Sequence, residues 1–132
     1  MHGNNSIKKY FLPYEQTVEF LKLSIEFNAL AHYHTAVKEE HIKEYGLEPF
    51  FVLMPNWNTG CTILPVPLYE QAFDFFEKKY DLYKNIIKSA SGCILHISIG
   101  TSVIYSVTHK TKEDALLEGI KELIRTVNKK RT

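Results

Sequence analysis

The chain predicts an α+β domain in which a short antiparallel sheet packs against an aromatic middle helix and an amphipathic C-terminal helix. Three observations predict it. Residues 82–89, 94–99 and 103–108 read as strands separated only by Ala90-Ser91-Gly92 and Gly100-Thr101-Ser102, the short spacing of antiparallel hairpins. Between Leu68 and Tyr80, Phe73, Phe76 and Tyr80 recur at helical spacing with Phe75 beside them, an aromatic stripe able to dominate a core. After Thr111, Leu116, Leu117, Ile120, Leu123, Ile124 and Val127 form a continuous apolar helix face.

The remaining elements follow in chain order. Residues 1–12 are a mixed, mostly polar lead-in, expected to be flexible. Pro13 suits a helix start, and Glu15 and Glu19 place negative charge near the positive end of the dipole, so a helix is expected over Tyr14–Phe27. Its apolar face is Val18, Leu21 and Ile25, widened by Phe20 and Leu23. Residues 28–37 alternate as a short strand does, and 38–45 read as a short charged helix closed by Gly46. Phe50 to Met54 is an apolar run of strand length, Asn56 to Gly60 is turn chemistry, and Thr62 to Leu64 returns as a strand. Pro65 and Pro67 lack a backbone donor, so pairing is expected to stop there. In the middle strand of the C-terminal sheet, Leu95, Ile97 and Ile99 should face the core and His96 the other side. Thr111 is placed to cap the last helix, with Asp114 reaching back, and 128–132 is expected to fray.

A length of 132 residues with 45% hydrophobic and 23% charged side chains fits one domain spanning 1–132. Such a chain buries roughly two thirds of its unfolded surface, so no metal or disulfide is required for a core. A net charge of +1 argues against an electrostatic device for nucleic acid or membrane surfaces. Two cysteines do not make a secreted disulfide scaffold, no signal-peptide-like run follows the first residues, and no apolar stretch has spanning length. A reduced cytoplasm is the expected setting, with no membrane partner.

One internal echo stands out. Tyr14-Glu15-Gln16 followed by Phe20 recurs as Tyr69-Glu70-Gln71 followed by Phe75, 55 residues later, with a proline just upstream of each copy. Two copies are too few for a solenoid, so 13–27 and 67–80 read as a reused helix-start element or as parts of two related halves.

At Pro67-Leu68-Tyr69-Glu70-Gln71-Ala72 and Thr111-Lys112-Glu113-Asp114-Ala115 the chain resembles small uncharacterised proteins of phages, prophages and mobile elements of gut Bacteroidales. Those proteins open an aromatic helix with Pro-Thr-Tyr-x-Gln-Ala and a leucine-rich terminal helix with a Tyr-Glu-Glu-Ala-like start. Leu68 stands where they usually carry a capping threonine, and Phe75 where tryptophan is frequent. The resemblance runs from about Leu12 to Asn128 and implies a mobile-element accessory protein in a bacterial host cytoplasm. It implies no catalytic residue.

Four groups of residues are candidate sites. His32 and His34 share one face of an expected strand, and His41 lies seven residues on, so the three could approach an open zinc site. No Cys-x-x-Cys or His-Glu-x-x-His spacing accompanies them. Cys93 reads as a small buried residue, and Cys61, in a loop, lacks the local signature of a nucleophile. Asn56-Trp57-Asn58 in a turn is the best partner- or ligand-binding candidate, since tryptophan joins a large apolar face to a polar tip. Lys129, Lys130 and Arg131 favour phosphate, yet lysine at a helix C-terminus is already explained by the dipole. No phosphate loop, dinucleotide fingerprint or carboxylate pair appears, so no catalytic residue and no cofactor is expected.

The leading expectation is therefore a non-enzymatic binding module acting on a host protein, with a homodimer as one arrangement. The alternatives are a small-ligand binder or hydrolase built on the histidines, with or without zinc, and a nucleic-acid accessory protein.

Overall fold

The computed structural model describes residues 7–23, 27, 29–36, 42–44, 46, 48–53 and 61–131, and only the backbone of 61–63, 130 and 131. The elements run α1 (Tyr14–Leu21), β1 (Ala31–Ala36), β2 (Phe50–Val52), β3 (Cys61–Val66), α2 (Tyr69–Tyr80), β4 (Leu82–Ser89), β5 (Gly92–Ile99), β6 (Ser102–His109) and α3 (Lys112–Arg131). Residues 42–44, within the expected charged helix, are helical. The α+β class holds, but the strands form two separate three-stranded antiparallel sheets, ordered β2-β1-β3 and β4-β5-β6, where one short sheet was expected.

The C-terminal sheet is a meander joined by two-residue turns, with Ser89 opposite Gly92 and Ile99 opposite Ser102. Gly92 has φ +138°, and a Cβ there would lie 2.2 Å from the His109 carbonyl oxygen, so the first hairpin depends on glycine for close backbone approach. Cys93, Leu95 and Ile97 point to the helices and are buried, as alternation requires. Ile99, the last residue of the strand, stays in register opposite the buried Leu82 yet is 37% exposed, and the register shift between Ile97 and Ser98 places the extra residue, Ile104, in β6. Phe73 and Phe76 of α2 and Ile120, Leu123, Ile124 and Val127 of α3 complete this core. Gln71 Oε1 accepts the Leu68 N–H at 2.9 Å, and Thr111 Oγ1 accepts the Asp114 N–H at 3.2 Å, so each helix start is held by a side chain. α3 continues through Arg131 instead of fraying at 128.

The N-terminal sheet is smaller, with β1 at its centre. Pairing runs through Pro65, opposite His32, to Val66, opposite Ala31, so the strand does not stop where its prolines suggested. β3 is an edge strand, and an edge tolerates a residue without an N–H. Cys61 opens this strand and is not in a loop. α1 buries Thr17, Phe20 and, just beyond its end, Leu23, while Val18 and Leu21 of the expected stripe are half-buried. Thr17 can be buried because its hydroxyl donates to the Pro13 carbonyl at 2.9 Å and approaches that of Leu12 at 3.3 Å. Ile25 lies outside the described residues.

The two halves meet at the echo. Phe11 bridges Leu68 in antiparallel fashion, Leu12 N–H donates to Pro67 O at 3.0 Å, and Tyr69 N–H donates to Tyr10 O at 2.9 Å. The lead-in, expected to be flexible over 1–12, is thus tied down at its end, with Phe11 and Leu12 buried. Both helices start from an extended residue, Pro13 (ψ 162°) and Leu68 (ψ 154°), so the repeated Tyr-Glu-Gln marks two helix starts held side by side.

Candidate binding site

His32 and His34 project from the same face of β1, as their spacing predicted, while Tyr33 projects from the other. His34 is 1% exposed and lies 5.5 Å from the Phe50 ring. Burial lowers the pKa of both histidines from 6.5, with their mutual repulsion adding at His34, so the neutral rings are favoured. His32 Nδ1 and His34 Nε2 are buried with no hydrogen-bond partner. His41 lies outside the described residues, and among those described no group of three His, Cys, Asp or Glu is placed to hold a metal. Cys93 is buried and unpaired in the core, a structural position. Asn56, Trp57 and Asn58 also lie outside the described residues.

On the Tyr33 side the fold builds an open cleft of about 670 Å³. Three segments converge on it: the N-terminal turn with Lys8 and Lys9, the start of α1 with Tyr14 and Glu15, and the start of α3 with Glu113 and Asp114. Tyr33 of β1, Tyr69 of α2 and Phe11 form its inner wall, and Glu48 lies at its mouth. Both echo tyrosines, Tyr14 and Tyr69, thus line one hollow. Tyr14 meets Tyr33 edge to face at 5.4 Å, and Phe51, beside the cleft lining, packs 5.8 Å from Tyr33 and 5.2 Å from Phe11. A second hollow of about 530 Å³ shares Lys9, Tyr69 and Glu113 and has Phe73, Ile86 and Leu116 on its floor.

The polar groups of the cleft are donors and fixed charges. Tyr33 donates its hydroxyl proton to Leu12 O at 3.1 Å, and burial pushes its pKa up to about 12. Tyr69 is likewise raised to about 12, first by burial and then by Tyr33, Asp114 and Glu113. Neither phenol can serve as a phenolate base near neutral pH. Among the described residues, no serine, cysteine or histidine lines either hollow.

Sequence reasoning pointed to the histidines and the tryptophan turn and missed Lys8, Phe11, Tyr33, Glu48 and Phe51 as one site. The signal that could have found it was the Tyr-Glu-Gln echo, since its two copies deliver Tyr14 and Tyr69 to the same wall. No helix among the described residues is long and apolar enough to cross a membrane. Comparison with known proteins finds no matching family model, no matching curated protein and no matching solved structure.

Proposed function

We propose that the protein is a non-enzymatic binding module that engages a partner protein through the tyrosine-lined cleft. The observation that carries this reading is the composition of the cleft. Tyr14, Tyr33 and Tyr69 converge from three elements onto a concave surface rimmed by carboxylates and lysines, the mix of aromatic anchors and polar edge that protein recognition uses. Tyr33 and Tyr69 are themselves buried and so held in place behind Tyr14, which is 36% exposed and offers the accessible ring, and this limits the entropy lost on binding. An accessory role for a phage or mobile element, in the cytoplasm of a bacterial host, rests on the helix-start resemblance alone.

Selection of a random peptide display library on the immobilised protein tests the reading. Enriched peptides are expected to shift the ring resonances of Tyr14, Tyr33 and Tyr69, and Tyr14→Ala should weaken them about tenfold or more, as truncating an interface anchor does. Enriched peptides that map elsewhere, or whose binding Tyr14→Ala leaves unchanged, would overturn it.

A further inference from the structure

We propose that the cleft recognises a side-chain cation, the ammonium of lysine or the guanidinium of arginine, on the partner polypeptide, and that Lys8 fills this place in the free protein. The inference rests on the binding reading above and names the chemistry of its ligand. Tyr33 and Phe51 meet at 70° and so form two walls of an aromatic corner. Lys8 Nζ stands 5.9 Å from the centroid of Tyr33 and 6.0 Å from that of Phe51, inside the range at which a cation is drawn to both ring faces. The protein's own ammonium thus already samples the position.

The charges around the corner favour the same ligand. Glu15, Glu48, Glu113 and Asp114 line the cleft against Lys8 and Lys9, and none of the four is in an ion pair among the described residues. Elsewhere, Glu19, Asp74, Glu118 and Glu122 each pair with a lysine or arginine three or four residues on, whereas Glu44, Glu70, Glu77 and Asp81, like the cleft acids, are in no ion pair among the described residues. The cleft carboxylates are left to act on whatever enters, and a cation that arrives with an apolar stem can bury that stem against Phe11 and Tyr14. Lys8 is exposed and sits in a single turn, where Phe11 N–H donates to Lys8 O at 3.0 Å, so its side chain can withdraw without disturbing the fold.

Titration of the full chain with N-acetyl-lysine methylamide, N-acetyl-arginine methylamide and the neutral N-acetyl-norleucine methylamide, followed by the Tyr14 and Tyr33 ring resonances, tests the proposal. The two cations are expected to bind and the norleucine probe not to at equal concentration. Lys8→Ala should tighten cation binding about two- to fivefold, the range of an exposed cation–π contact, and Glu48→Gln should weaken it. Both residues are exposed, and unchanged resonances from the β4–β6 sheet will show that the variants remain folded. Equal binding of the neutral probe, or no gain in Lys8→Ala, overturns the cation assignment and leaves cleft binding standing. Library peptides that map away from the cleft overturn both.

Discussion

The two sheets are each three-stranded and antiparallel, yet they are buried by different means. The β4–β6 sheet lies under two helices, and its inner residues join a large apolar cluster containing Phe20, Phe76, Leu82, Leu95, Ile97, Leu123 and Val127. The β1–β3 sheet has a small cluster of Phe11, Ala31, Tyr33 and Val66, and its central strand buries a phenol and an imidazole. Among the described residues, most of the apolar burial therefore resides in the first, where it is contiguous. The second trades apolar contact for polar side chains held at defined positions, and it contributes Tyr33 to the cleft. Stability and recognition are divided between the two, and the seam at Phe11, Leu12 and Leu68 joins them.

The sharpest test of this division is one deletion made in each cluster. Phe76→Ala removes a fully buried ring from the larger core and should lower the unfolding free energy by about 3–5 kcal/mol in urea denaturation. Phe11→Ala makes the same deletion beside an open cleft, where neighbours can relax and water can enter, and should cost distinctly less, about 2 kcal/mol. Equal losses would mean that the small sheet is as integral to the core as the large one.

The same contrast explains what could be read from the residues alone. β5 alternates cleanly and β4 to β6 are joined by short turns, so local rules placed the three strands to within a residue or two of their ends. The aromatic stripe of α2 and the apolar face of α3 were equally legible, since each is a repeat along one element. Pro65 misled because its tolerance depends on β3 being an edge, a fact of sheet order that no local pattern holds. Thr17 was absent from the expected core face because a hydroxyl counts as polar until its bonds to Pro13 and Leu12 are known. The cleft was the least legible, since Lys8, Tyr33, Glu48, Tyr69 and Glu113 come together only through tertiary packing.

The second test concerns the polar interior of the small sheet. His32 and His34 have pKa values lowered from 6.5, so the unfolded chain takes up protons more readily than the folded one below that pH. Their contribution is intact above 6.5 and is lost as pH falls through the lowered folded values. His34→Leu replaces a buried ring whose Nε2 has no hydrogen-bond partner among the described residues by an apolar side chain, which should raise stability near neutral pH by about 1 kcal/mol and flatten the acid slope. Urea midpoints between pH 7.5 and 5 check both effects. A destabilised His34→Leu at pH 7.5 would show that Nε2 has a role the folded chain depends on.

The finest test lies at the seam, where one carbonyl serves both halves. Leu12 O accepts from Tyr33 Oη at 3.1 Å and from Thr17 Oγ1 at 3.3 Å, so the central strand of the small sheet and the first helix share an acceptor. Removing one donor leaves the other, and Tyr33→Phe should cost only about 0.5–1 kcal/mol. Thr17→Val should cost a similar amount, because Leu12 O keeps the phenol, although the hydroxyl's bond to Pro13 O is lost as well. In the double variant neither donor remains, and a buried carbonyl left bare is more costly than the two single losses together. The measured coupling should therefore be destabilising, with the double variant falling below the sum. Strict additivity would show that the small sheet is docked by ring packing of Tyr33 against Phe51 and Tyr14, and that the polar seam contributes nothing cooperative.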